Sequence, residues 1–340
     1  MKKWLLIGAA TCLTAVFTAL AAAASFTPTV YNNIPSPRPG NVPSVGFEAT
    51  SASEFGGQVQ LNGTVGRNPQ VTVLMSSWGC QTGSWSAGNC ATSSGSGFSV
   101  PITLNAYNVG PSDAVGSLIA TKTQTFNIPY RPSADATHCT GGDAGKWYQA
   151  STSTCFNGYA WPITFDLTGV SLPDNVILTV AYNTSHYGYA PKGDHTACYT
   201  SSGGCGYDSL NVGTSGPAAT AGSYPTPDGA YANSSWGGFY CDGGAGGTGT
   251  LRFDNAPGCW TGYQPAFKVT ESRPLCIVPD LSGMSISAAK TAVKDAHCTV
   301  GNVTKVTTGH GPHLYLVTSQ KPAAGRSLLY PGYVSFTAEG

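Results

Sequence analysis

Ten of the 11 cysteines in this 340-residue chain fall into five neighbouring pairs, and that pattern constrains its fold most. None stands in a C-x-x-C motif, and no Cys/His spacing suits zinc. The remaining one, Cys12, lies in an N-terminal segment that reads as removable. An even set of cysteines in an exported chain reads as disulfides. Connectivity is not fixed by sequence alone, so pairing by proximity is the expectation: Cys80 with Cys90, Cys139 with Cys155, Cys198 with Cys205, Cys241 with Cys259, and Cys276 with Cys298. The first four pairs would pin long loops. The fifth would staple a strand start to a helix end.

Export is read from residues 1–24. Lys2 and Lys3 form a positive start, Trp4 to Leu20 is apolar, and Ala22 to Ala24 offer small residues for cleavage before Ser25. Thr11 precedes Cys12 where lipidation favours Gly, Ala or Ser, and no long apolar stretch follows. No membrane span is therefore expected after cleavage.

Removing Lys2 and Lys3 from the 16 basic residues leaves 14 against 16 acidic ones, a net charge of −2. Charged residues make up 9% of the chain, where about a quarter is usual. So neutral a surface has no footprint for nucleic acid or anionic lipid. Abundant Gly, Ser, Thr and Tyr instead suit a secreted, β-rich protein.

Residues 25–44 are rich in Pro and Asn and read as an extended lead-in. From 45 to 270 no segment reads as a helix. Nine runs favour strands: Gln58–Leu61, Gln70–Met75, Phe98–Tyr107, Gly116–Ile128, Ile163–Leu167, Val176–Tyr182, Ser209–Val212, Gly249–Phe253 and Ala266–Thr270. Strands of this spacing point to a disulfide-rich β-sandwich, jelly-roll-like in type. The run P-I-T-L-N-A-Y followed by G-S-L-I-A-T is similar to a pattern of secreted bacterial adhesive and carbohydrate-binding modules. The Gly/Ala-rich stretch from 213 to 247 reads as a decorated loop, because Tyr231, Trp236, Phe239 and Tyr240 need something to pack on. Ser272-Arg273-Pro274 marks a hinge over 271–275.

Residues 276–340 have their own logic. Val278-Pro279 starts extended, because the residue before proline is pushed away from helix. Ser285 offers an N-cap, and Ile286, Ala289, Val293 and Ala296 recur at helical spacing, which predicts a short amphipathic helix from Ser285 to Ala296. Gly301 is expected to stop it. Short alternating runs follow at Val303–Val306, Leu314–Ser319 and Tyr333–Thr337, separated by turn-formers. One helix on a small sheet is a small core for about 65 residues.

The motifs here, V-P-D-L-x-G-M-S, A-A-K-x-A-V-K-x-A, V-G-x-V and V-x-S-Q-x-P-A-A-G, resemble the PASTA domain in their order. The resemblance implies a small α+β domain acting outside the membrane. It also implies peptidoglycan or another cell-wall glycan as partner, with Ser319, Gln320 and Arg326 around the S-Q-x-P turn as candidate contacts. The copy is single, so avidity from linked modules is absent.

Catalytic signals are sparse. Four Glu remain, Glu48, Glu54, Glu271 and Glu339, and only Glu48 and Glu54 stand close enough to suggest a carboxylate pair. HExxH and GxSxG are absent. Ser287 to Lys290 fits S-x-x-K, but its S-D-N and K-T-G partners are missing. His186, Asp194 and His195 lack an evident third metal ligand. A structural calcium ion in the sandwich, held by Asp and loop carbonyls, is the better metal candidate, although no ligand run identifies it. No other cofactor is expected. The better signal is aromatic. Trp78, Trp85, Trp147, Trp236, Trp260, Tyr187, Tyr189 and Tyr240 lie near predicted loops, and flat rings stack on sugar faces. Of these, Tyr187, Tyr189, Trp236 and Tyr240 are candidate glycan contacts. The alternative role for such rings is to cover disulfides. The expectation is a secreted, non-catalytic, wall-associated protein. A targeted wall hydrolase and a self-assembling surface protein are the alternatives. The sequence does not specify an oligomeric state.

Overall fold

The structure, a computed structural model, describes residues 25–62, 66–182, 210–216, 218–271, 273–309, 314–328 and 331–340. The export segment, Cys12, Cys198, Cys205, Tyr187, Tyr189, His186, Asp194 and His195 lie outside the described residues. Two compact units are distinguished: Thr27–Arg273, and Pro274–Gly340 together with the described residues before Thr27.

The larger unit is mainly β. Its first sheet has six antiparallel strands. In chain order these are β3 (Ala52–Gln60), β5 (Gly97–Val109), β6 (Val115–Pro129), β8 (Asn175–Tyr182), β10 (Gly229–Ser234) and β11 (Arg252–Asn255). Their spatial order is β11-β10-β3-β8-β5-β6. The second sheet is built around β4 (Pro69–Ser77). On one side it pairs with β7 (Tyr159–Asp166) along its whole length. On the other, β4 changes neighbour half-way. Val71 and Val73 pair with β12 (Phe267–Glu271), and Met75 to Ser77 pair with β9 (Leu210–Ser215). Strands β1 (Thr29–Asn32) and β2 (Ser44–Gly46) flank β12 and β9 respectively.

Alternation explains how the sheets face each other. Val71, Val73 and Met75 of β4 share one buried cluster with Val176, Leu178 and Val180 of β8 and with Val100, Ile102 and Leu104 of β5. Each set recurs at period two, so one face of each strand turns inward.

Three sequence readings change. The Pro/Asn-rich lead-in is extended, as its prolines require, yet it is part of the sandwich. Val30 and Tyr31 of β1 are fully buried, and Val42 packs with Leu74, Ala160 and Ala266 on the outer face of the second sheet. The stretch read as a decorated loop contains an inner strand, β10, held between β3 and β11. Its Gly229, Ala230 and Ala232 carry no β-branched signal, but small side chains suit a position where the Phe253 ring lies against Gly229. A one-turn helix, α1 (Phe47–Thr50), stands where none was expected, and Phe47 stacks on Tyr182 at 4.2 Å between ring centroids.

In the smaller unit, α2 (Ile286–Asp295) is capped by Ser285, whose Oγ accepts from the Ala288 N–H at 3.3 Å. Ala289 and Val293 are its buried stripe. Gly301 does not end it. The chain leaves the helix at His297, in the left-handed region at φ 57°, while Gly301 lies within a strand against Ser335. Strand β13 (Thr299–Val306) pairs parallel with β15 (Tyr333–Glu339), and β14 (Leu316–Lys321) pairs antiparallel with it. Val317, Val334, Phe336 and Ala338 face the helix. Among the described residues no helix is long and apolar enough to cross a membrane.

Candidate functional site

Four disulfides join the expected neighbours, Cys80–Cys90, Cys139–Cys155, Cys241–Cys259 and Cys276–Cys298.

In the larger unit most aromatic candidates are structural. Tyr240 is buried beneath Arg252, whose guanidinium carbon is 4.0 Å from the ring centre. Its hydroxyl accepts from the Ser234 N–H at 2.7 Å. It is therefore enclosed, not a surface glycan contact. Trp260 is buried, and its indole N–H donates to Asp254 Oδ2 at 2.8 Å. The same oxygen accepts from the Cys241 N–H at 3.0 Å, so Asp254 ties the Cys241–Cys259 bridge to the Trp. Cys241, Asp254 and Cys259 are the only grouping of three metal-type donors among the described residues, and the two sulfurs are spent on each other. Trp147 is also buried, donating to the Gly158 carbonyl at 2.7 Å. Trp236 is 43% exposed, at a turn after β10.

Trp78 and Trp85 behave differently. They meet edge to face at 4.8 Å, one just after β4 and the other inside the Cys80–Cys90 loop. With Phe156 and Tyr263 they line a cleft of about 690 Å³, whose remaining wall includes Asn41, Ser44 and Asn211. The size lies within the range of about 300–1,000 Å³ usual for small-ligand sites. No charged side chain is among the described residues lining it. Its wall is braced from behind. The Trp78 indole donates to Ser76 Oγ at 2.9 Å, Ser76 donates to Asn41 Oδ1 at 2.7 Å, and Asn211 Nδ2 donates to Ser44 Oγ at 3.0 Å. Gly158 is required behind this brace: a Cβ there would stand 2.6 Å from both Ser76 Oγ and Trp78 Nε1. The Trp85 indole N–H is enclosed and meets no acceptor. Sequence reading named both Trp but missed Phe156 and Tyr263. The usable signal was proximity to cysteine, since Phe156 follows Cys155 and Tyr263 stands four residues after Cys259.

The carboxylates are not paired. Glu48 is buried in α1, whereas Glu54 Oε1 accepts from Asn105 Nδ2 at 2.9 Å, from the Tyr107 hydroxyl at 3.1 Å and from Thr179. Ser287 and Lys290 are both exposed on α2, unlike a nucleophile and base held in a buried helix.

In the smaller unit Gln320 proves to be a clamp. Its Oε1 accepts from the Leu281 N–H at 2.8 Å and its Nε2 donates to the Pro279 carbonyl at 2.9 Å, which pins the V-P-D-L start to β14. Ser319 is exposed and lines a shallow depression with Asn302, Thr304 and Ser335. Arg326 is exposed, while its carbonyl accepts from the Val278 N–H at 2.9 Å.

A helix capped at Ser285, the Gln320 clamp and the mixed three-stranded sheet coincide with one family. Residues 277–337 match the PASTA domain. No curated protein and no solved structure matches the chain. The PASTA match takes in α2, β13, β14 and most of β15.

Proposed function

We propose that this is an exported, non-catalytic protein of the cell envelope. Its PASTA unit associates with peptidoglycan, and its sandwich binds or displays outside the membrane. The observation that carries the reading is the PASTA match over 277–337, which points to the cell wall. Disulfides in both units are consistent with an oxidising compartment. The non-catalytic part is supported by the surroundings of Glu48 and Glu54 and by the exposed positions of Ser287 and Lys290.

The test is co-sedimentation with purified sacculi, using residues 25–340, 25–273 and 274–340, with released muropeptides followed in the same tubes. Retention of 25–340 and 274–340 without released fragments is the expected result. Loss of retention of 274–340 would remove the wall from the reading, and soluble muropeptides would replace it with a hydrolase.

A further inference from the structure

The cleft beside Trp78 and Trp85 brings several aromatic rings, amides and open volume together in the sandwich. We infer that it binds a neutral saccharide chain, which deepens and rests on the reading of the sandwich as a binding module.

Four observations carry this. First, no charged group lines the cleft among the described residues, so a charged ligand would be desolvated without a counter-charge. Second, Trp78 and Trp85 meet edge to face at an interplanar angle of 83°, and Tyr263, 46% exposed, stands across the same cleft. Flat rings offer the C–H faces of a pyranose apolar area at small entropic cost. Third, Asn41, Ser44 and Asn211 place amide and hydroxyl groups beside the rings, matching the donor and acceptor character of sugar hydroxyls. Fourth, the Trp85 indole N–H has no protein hydrogen bond to lose, so a ligand oxygen that reaches it displaces none.

A peptide fits less well. The strand bordering the cleft is β2, and an added strand would need its main-chain groups. Pro43, which precedes β2 and lines the cleft, supplies no N–H for an added strand.

The experiment is calorimetric and tryptophan-fluorescence titration of residues 25–340 with chitohexaose and with cellohexaose at millimolar concentration, at low and high salt. The expected result is saturable binding of at least one oligomer, changing by less than about twofold with salt because no ion pair is formed. Tyr263→Ala and Trp85→Ala should each weaken it about tenfold. Trp85 sits in a cross-linked loop, so Tyr263, which projects to solvent, is the variant that keeps the fold. Absence of binding to both oligomers, undiminished binding in the Tyr263→Ala protein, or loss caused by Trp236→Ala would each overturn the assignment. Sacculus retention of the same proteins separates the two readings. Retention without oligomer binding removes only the cleft, whereas oligomer binding without retention removes only the wall.

Discussion

Removing the Cys276–Cys298 bridge should bring the PASTA unit to the edge of unfolding while the sandwich stays folded. The bridge closes 22 residues, from the strand start to the end of α2, with Cα atoms 4.7 Å apart. In the chain-entropy description, opening a loop of that length returns about 3.4 kcal/mol of disorder to the unfolded state at 25 °C. The unit has little to set against this. Its buried cluster is Val278, Leu281, Ala289, Val293, Val317, Val334, Phe336 and Ala338 with the two cysteines, and a core of that size supplies no more than about 3–5 kcal/mol. At about 4–8 °C per kcal/mol, the Cys276→Ala/Cys298→Ala protein should melt about 14–27 °C lower. Two probes isolate the effect. None of the seven Trp lies within 274–340, so Trp fluorescence reports on the sandwich, whereas α2 is the longest helix described and contributes at 222 nm. The reasoning fails if the helical transition moves by less than about 5 °C. It also fails if the fluorescence transition moves with it.

The sandwich makes its own predictions. Tyr31→Phe should raise stability by about 1–3 kcal/mol in a urea titration, because the Tyr31 hydroxyl is enclosed without a partner. Burial raises the phenols of Tyr31, Tyr224 and Tyr231 above their usual range. Burial, then the Glu54 charge and hydrogen bond, pushes Tyr107 up to about 12. The folded chain therefore keeps protons that the unfolded chain sheds near pH 10. The stability these groups confer is complete below about pH 10 and is lost as pH rises towards 12 and beyond. Arg131, pushed down to about 10 by burial, acts in the opposite direction over the same range, but it is one group against these four and Tyr130, whose phenol burial also raises. Urea titrations from pH 8 to 12 should show a net fall, and a net rise would reverse the assignment. Gly56→Ala should cost about 3 kcal/mol, because the added methyl collides with the Leu178 carbonyl and stands 2.5 Å from Thr179 Cα. A change in melting temperature within error would mean that β3 and β8 can separate. Gln320→Ala should lower the stability of 274–340 by about 1–3 kcal/mol and leave sacculus retention of the folded protein intact. Lost retention without lost stability would restore Gln320 as a contact.

What could be read from the sequence followed the strength of local signals. Helix α2 was legible because Ser285, Ala289 and Val293 combine a cap with a 3.6-residue period. Strands β4, β5 and β8 were legible because β-branched and aromatic residues alternate along them. Strand β10 was not, since Gly229, Ala230 and Ala232 owe their place to neighbours on both sides and not to propensity. Strand β1 was hidden among prolines that stand just outside it, at Pro28 and Pro35. The end of α2 was placed correctly at Ala296, but the stop was assigned to Gly301, whereas His297 adopts the left-handed conformation that a reader expects of glycine.

The aromatic cleft shows a different limit. Its residues come from 41–49, 78–85, 156, 211 and 263, and no periodicity connects such positions. What connects them is cross-linking. Trp85 lies inside the Cys80–Cys90 loop, Phe156 follows Cys155, and Tyr263 lies just beyond Cys259. A loop carrying a ring must hold that ring still if stacking is to outweigh the entropy of ordering it. In a chain with 9% charged residues, few ion pairs are at hand to hold loops in place, and the disulfides take that part. The same cysteine pairs that read as loop staples therefore account for why aromatic side chains at three separate loops can form one rigid wall.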